Sequence, residues 1–278
     1  MKNRAPLLNK PSPGWQRDLA TPTDDYFPDS QSKPYPTLNS LNRIYMEVSR
    51  RSTKMRGLML GIAVAPLAFV LLIPGDFTDL QHRWGIGIGA ALGFIAPYIL
   101  MVLMAFLCIR IDTSIPRDEP IRFNRLRRRV YVYSFQHVWW NPFSHWYVTT
   151  KSYNWSDLRA EAWRQRGANG QGGLLITWGV SIAVIKPGTN EVIDRFPLSV
   201  GQDEGSSWDY VCAYMQHGPE ALPPVERFND PNEVPSYNLA LRLAPRVHWP
   251  EQMDAESRSG PEDSPAVVQA QHKGQTDK

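Results

Sequence analysis

The residues able to do chemistry are few and scattered along the 278-residue chain. Six histidines occur, His82, His137, His145, His217, His248 and His272, and none forms a His-x-x-x-His pair or sits beside carboxylates at metal-ligand spacing. The two cysteines, Cys108 and Cys212, are too few for a disulfide scaffold or a thiolate cluster. Neither has a partnered base in its surroundings, as a nucleophile needs. No Gly-Lys-Ser/Thr phosphate loop and no Gly-x-Ser-x-Gly elbow is present. Gly85-x-Gly87-x-Gly89 has the outline of a dinucleotide motif, but it lies in a long uncharged run where glycine serves packing. Asp157 and Glu161 form a carboxylate pair at i, i+4 of the kind that chance supplies. The sequence therefore predicts a non-enzymatic protein with no catalytic residue, no metal and no cofactor.

Two clusters offer recognition instead. Trp139, Trp140, Phe143, Trp146 and Tyr147 crowd one short segment. Such rings either fold into a core or bilayer interface or form a protein-binding hot spot. Arg125, Arg127, Arg128 and Arg129 form a basic run. Nucleic acid is not expected to be its ligand, although tyrosines and tryptophans lie near. The run follows an apolar segment closely enough for an anionic leaflet, or specific lipid headgroups, to explain it.

The elements that would position these clusters begin with two uncharged runs, Gly57 to Pro74 and Gly85 to Ile109. As helices they reach roughly 27 and 37 Å, against a hydrocarbon core of about 30 Å. They are expected to be transmembrane helices, 57–74 and 85–109, in a hairpin over 43–110. Arg43, Arg50, Arg51, Lys54 and Arg56 precede the first run, and seven arginines from Arg110 to Arg129 follow the second. The connecting loop holds only Arg83. This asymmetry predicts a multi-pass protein of the inner (cytoplasmic) membrane with both termini in the cytoplasm. Gly57 and Gly61, and Gly85, Gly89 and Gly93, have the small-xxx-small spacing that lets helices pack closely, within the hairpin or in a homo-oligomer. With no ionisable residue inside either run, a transport path is disfavoured.

Residues 1–42 are proline-rich and polar, and residues 251–278 are polar and slightly acidic; both read as disordered tails. Between them, about 115–250 has globular composition. IRFNRLRRRVYVYSF has the look of a hairpin, LLITWGVSIAVI of a buried strand, and EVIDRFPL of its return. SDLRAEAWRQ suits helix or strand. Trp208, Val211, Cys212 and Met215 place an apolar stripe on a helix that Ser206 or Ser207 caps and Gly218-Pro219 ends. The fold class expected is α+β, a transmembrane helical hairpin plus a cytoplasmic antiparallel β domain closed by a C-terminal helix. That arrangement is similar to pleckstrin-homology-like folds, an analogy that leaves function open.

RFNRLRRRVYVY (Arg122 to Tyr133), Trp155-Ser156-Asp157, VIDRFPL (192–198) and WDYVCAYMQHGPEALP (208–223) resemble the signature stretches of an uncharacterised bacterial membrane family. The resemblance covers roughly 40–250. Members are often encoded near type VI secretion or other contact-dependent toxin systems. It implies a binding protein anchored on the bilayer, an accessory or immunity factor whose partner is a secretion-system component or toxin. A lipid-headgroup or envelope sensor is the alternative.

Overall fold

The computed structural model describes residues 5–24, 35, 37–50, 56–72, 88–138, 140–141, 143–168, 173–200 and 203–261. Nine strands form two antiparallel sheets. The five-stranded sheet has the order β2 (Leu38–Leu41), β3 (Tyr45–Val48), β4 (Ile121–Asn124), β5 (Arg129–Gln136), β6 (Tyr147–Asn154). The four-stranded sheet has the order β1 (Trp15–Asp18), β7 (Leu158–Ala168), β8 (Leu174–Ile185), β9 (Val192–Val200). SDLRAEAWRQ resolves as strand from Leu158 onward, after a 3-10 turn over Trp155–Asp157: Ala160 and Ala162 are buried while β7 pairs along its whole length with β8.

The core lies between the sheets. Met46, Val48, Ile121, Phe123, Val130 and Val132 meet Leu158, Ala160, Val180, Ile182, Val184, Phe196 and Leu198. Helix α3 (Ser206–His217) closes one end and buries Trp208, Val211, Cys212 and Met215. Its Trp208 stacks on Trp155, ring centroids 5.1 Å apart, at the corner where β6 passes into β7. Gly218 follows with φ 91°, a left-handed conformation that glycine adopts without penalty.

The period-2 stretch VYVY of β5 does not have one wet face. Val130 and Val132 enter the core, and Tyr131 and Tyr133 are buried on the other side against Trp249. The cover is the C-terminal segment, which runs through α4 (Leu239–Leu243) to α5 (Glu251–Arg258) and returns over the outer face of the sheet. The two expected tails thus contain ordered structure. Residues 15–18 add a strand to β7, Leu8 packs on Ala183 and Ile185, and α5 docks through polar contacts. Composition underrates such segments because each buries little apolar surface and is held by hydrogen bonds to a sheet built from distant residues.

Helices α1 (Leu58–Leu72) and α2 (Ile88–Ser114) interrupt the chain between β3 and β4, which are nevertheless hydrogen-bonded neighbours, Val48 opposite Ile121. They pack through Ala63, Ala105 and Cys108. Here the membrane expectation is overturned. Among the described residues no helix is long and apolar enough to cross a membrane. The 15 residues described for α1 reach about 22 Å, against a hydrocarbon core of about 30 Å. The last turns of α2 carry Arg110 and Asp112, and both are engaged with the folded chain. Asp112 accepts hydrogen bonds from the backbone N–H groups of Gly57 and Leu60 and so caps α1, while the Arg56 guanidinium donates to the carbonyls of Asp112, Ile115 and Pro116. The expected fold class, with its transmembrane hairpin, is corrected to a β-rich α+β fold of two antiparallel sheets. A multi-pass protein of the inner membrane is likewise not supported. A run without charges bounds where an apolar helix can lie; it does not set what the helix ends bind.

Candidate functional site

The aromatic segment joins β5 to β6 as a loop that starts at His137. Asn141 builds its turn: the side-chain Oδ1 accepts from the Phe143 N–H at 3.0 Å, and its carbonyl accepts from the Ser144 hydroxyl at 2.8 Å. Ser144 Oγ accepts in turn from Trp146 Nε1 at 2.8 Å. Trp146 is the pin. Phe135 and His137 meet its ring edge-on, with centroids 6.2 and 5.5 Å away. The Arg110 guanidinium lies 4.4 Å from its centroid on the side facing α2, a cation–π contact. Arg110 also donates to the Ser144 carbonyl at 2.9 Å, and Phe143 stacks on Phe106 at 6.0 Å and 22°. The loop is therefore clamped to the end of α2 at two points.

What the clamp presents is apolar. Trp140 is 67% exposed and Phe143 72% exposed, and Tyr147, stacked on His145, remains half open. Trp139 lies outside the described residues. The four described rings thus divide by role: Trp146 is structural, whereas Trp140, Phe143 and Tyr147 face outward. Sequence reading missed Arg110, Phe106 and Asn141, which hold the loop. Arg110 reads as a topology signal and Phe106 as one residue of an apolar run; only the turn preference of Asn141 was a local cue.

The basic run, partly exposed, is engaged by other segments of the fold. Arg125 donates to the carbonyl of Gln216 and Arg128 to that of Met215, both at the C-terminal end of α3, where cations complement the helix dipole. Arg127 donates to the carbonyls of Ser259 and Gly260, and Arg129 pairs with Glu256 at 2.9 Å. These arginines fasten two helices to the β4–β5 turn, at which Arg128 takes φ 51°. Deeper still, Arg122 is buried against Glu47, Asp254 and Ser257. Glu161 is buried against Arg195 and the backbone N–H of Ser12.

Among the glycines, Gly57 turns the chain into α1 with φ 92°, and a Cβ there would approach Asn238 Oδ1 at 3.5 Å. Among the described residues a Cβ on Gly61 would meet nothing within 4 Å. Gly89 and Gly93 fall within α2, where their surroundings are outside the described residues, as is Gly85. Burial pushes the Cys212 thiol well above its usual range, with Asp209 and Asp24 adding to the rise, so it stays protonated on the core face of α3. Among the described residues no group of three His, Cys, Asp or Glu side chains is placed to hold a metal ion.

A family model covers residues 98–261, more than half of the chain. The chain belongs to DUF6708, a family of unknown function. The DUF6708 match begins inside α2 and ends just after α5, so it includes the aromatic loop, the basic run and the C-terminal cover. An uncharacterised family is what the signature stretches led one to expect. No curated protein and no solved structure matches the chain.

Proposed function

We propose that this DUF6708 protein works by binding rather than catalysis, and that the loop between β5 and β6 is where it engages a protein partner. The observation that carries the reading is the contrast within one loop: Trp146 is pinned by Arg110, Phe135 and His137, while Trp140 and Phe143 are 67% and 72% exposed. Aromatic rings held outward on a fixed turn offer a partner large area at small entropic cost. The turn is closed by Asn141 and Ser144, so the rings need little ordering on contact. The chain's resemblance to proteins encoded near type VI secretion and contact-dependent toxin systems supports a partner from such a system, with the protein as an accessory or immunity factor.

The test uses the full-length protein, co-expressed with the products of the adjacent genes and recovered by affinity tag. Trp140→Ala/Phe143→Ala removes the two most exposed rings and leaves the Trp146 pin in place. Recovery of a partner falling at least about tenfold supports the reading, since a hot-spot residue contributes roughly 2 kcal/mol or more. Undiminished recovery of every partner overturns it.

A further inference from the structure

The four sheet edges are not alike. β1 and β2 are four residues each, and both carry a register shift. The Leu38 carbonyl of β2 is also bonded on its outer side, to the Asn229 N–H at 2.7 Å. β9 contains Pro197 and shifts register twice. Shortness, bulges and proline are how proteins blunt edges that would otherwise pair with another chain. β6 has none of these. It is eight residues long, lacks proline, and pairs with β5 in unbroken register from Tyr147 to Asn154.

The register fixes which of its backbone groups are free. Trp155 N–H donates to the Arg128 carbonyl at 2.9 Å, so in the same register Tyr153, Lys151, Thr149 and Tyr147 bond to β5. The N–H and C=O groups of Val148, Thr150 and Ser152 point the other way. Among the described residues nothing pairs with them, and they repeat at about 6.8 Å, the two-residue spacing of an extended chain. The one charge on the strand is engaged, since half-exposed Lys151 pairs with Asp194 of β9 at 2.6 Å. The strand starts at the aromatic loop, and its first residues, Tyr147 and Val148, are 49% and 37% exposed.

We propose that β6 accepts an extended segment of the partner protein as a sixth strand of its sheet. This rests on the aromatic-loop reading: main-chain hydrogen bonds along Val148, Thr150 and Ser152 supply the affinity, and the rings of Trp140 and Phe143 select an apolar side chain at the end of the segment. The occupant is set by chemistry. Alternating donors and acceptors at strand spacing are matched by another extended backbone and not by a helix, whose backbone groups bond internally.

The probe is a library of short linear peptides displayed on phage, selected on the full-length protein. Thr150→Pro deletes one outward N–H without breaking a bond to β5, and Thr150→Ala keeps it. Selected peptides are expected to bind Thr150→Ala within about twofold of wild type and to lose at least about tenfold on Thr150→Pro. N-methylation of alternate peptide amides removes the same bonds from the ligand side, so the proposal stays testable even where Thr150→Pro fails to fold. Peptides indifferent to N-methylation, or the enrichment of no peptide, overturn the proposal. Concentration-dependent self-association that Thr150→Pro abolishes assigns the edge to a second copy and overturns it too. Peptides that ignore Thr150→Pro but need Trp140 and Phe143 leave the loop reading standing and sink the added strand.

Discussion

Removing the guanidinium of Arg122 tests the reasoning about the C-terminal cover. Its side chain is 1% exposed, donates from Nε and Nη2 to Glu47 Oε2 at 2.8 and 2.6 Å, and reaches Asp254 Oδ1 at 2.9 Å. A further bond joins it to Ser257, and the rings of Trp249 and Tyr45 lie 4.8 and 5.2 Å from its central carbon. Arg122→Met leaves the Glu47 carboxylate, itself only 7% exposed, with one side-chain donor among the described residues, Asn39 at 3.2 Å. Breaking one partner of a buried pair costs about 3–5 kcal/mol, chiefly because the remaining charge stays desolvated. Glu47→Gln removes that charge. The double variant Arg122→Met/Glu47→Gln is therefore expected to lose at least about 1 kcal/mol less than the two single losses combined. Urea unfolding of the full chain, followed by circular dichroism, supplies all three values. Limited proteolysis supplies a local readout, since cleavage within 251–261 is expected to accelerate once Asp254 and Ser257 lose their tether. A loss below about 0.5 kcal/mol for Arg122→Met, or strict additivity, would refute the claim that this buried charge cluster holds the segment down.

Two further outcomes follow from the core and its helix. A Cβ at Gly179 would stand 2.4 Å from the Ser199 carbonyl oxygen and 3.2 Å from Trp163 Cζ2, so Gly179→Ala is expected to lower stability by about 1–3 kcal/mol in the same assay. Burial pushes the Asp203 carboxyl up, but hydrogen bonds from the Ser199 and Ser207 hydroxyls and from the N–H groups of Gly205 and Ser207 outweigh it and hold it below the ordinary range. With its folded value depressed, the stabilisation from Asp203 is complete above an unfolded value of about 3.9 and fades as the pH falls through the folded one. Asp203→Asn is accordingly expected to be less stable at neutral pH and to lose less on acidification below about pH 4, which urea midpoints across a pH series would show.

Strands β8 and β9 and helix α3 were legible in the sequence because their local patterns agree with their final surroundings. The apolar run 174–185 is a strand with a turn after it, and Trp208, Val211, Cys212 and Met215 share the helix face that the core covers. The candidate site was half legible. Composition located the ring cluster, but which ring anchors and which ring faces out depends on Arg110 and Phe106, more than thirty residues earlier in the chain. The partners of the basic run were illegible for the same reason: Arg125, Arg127 and Arg128 donate to backbone carbonyls at the end of α3 and beyond α5, and a carbonyl leaves no mark on a sequence.

By itself the sequence determined the α+β character, the closing helix and the place of the aromatic cluster, because those follow from periodicity and side-chain type over short windows. Tertiary structure alone decided the fate of the rest. It built Trp15–Asp18 into a sheet, folded α5 over the outer face of β5, and put the ends of α1 and α2 to use in capping and clamping. Each of these depends on hydrogen bonds and ion pairs between residues far apart in the chain, and the free energy of such a contact exists only once the fold has brought its two halves within reach.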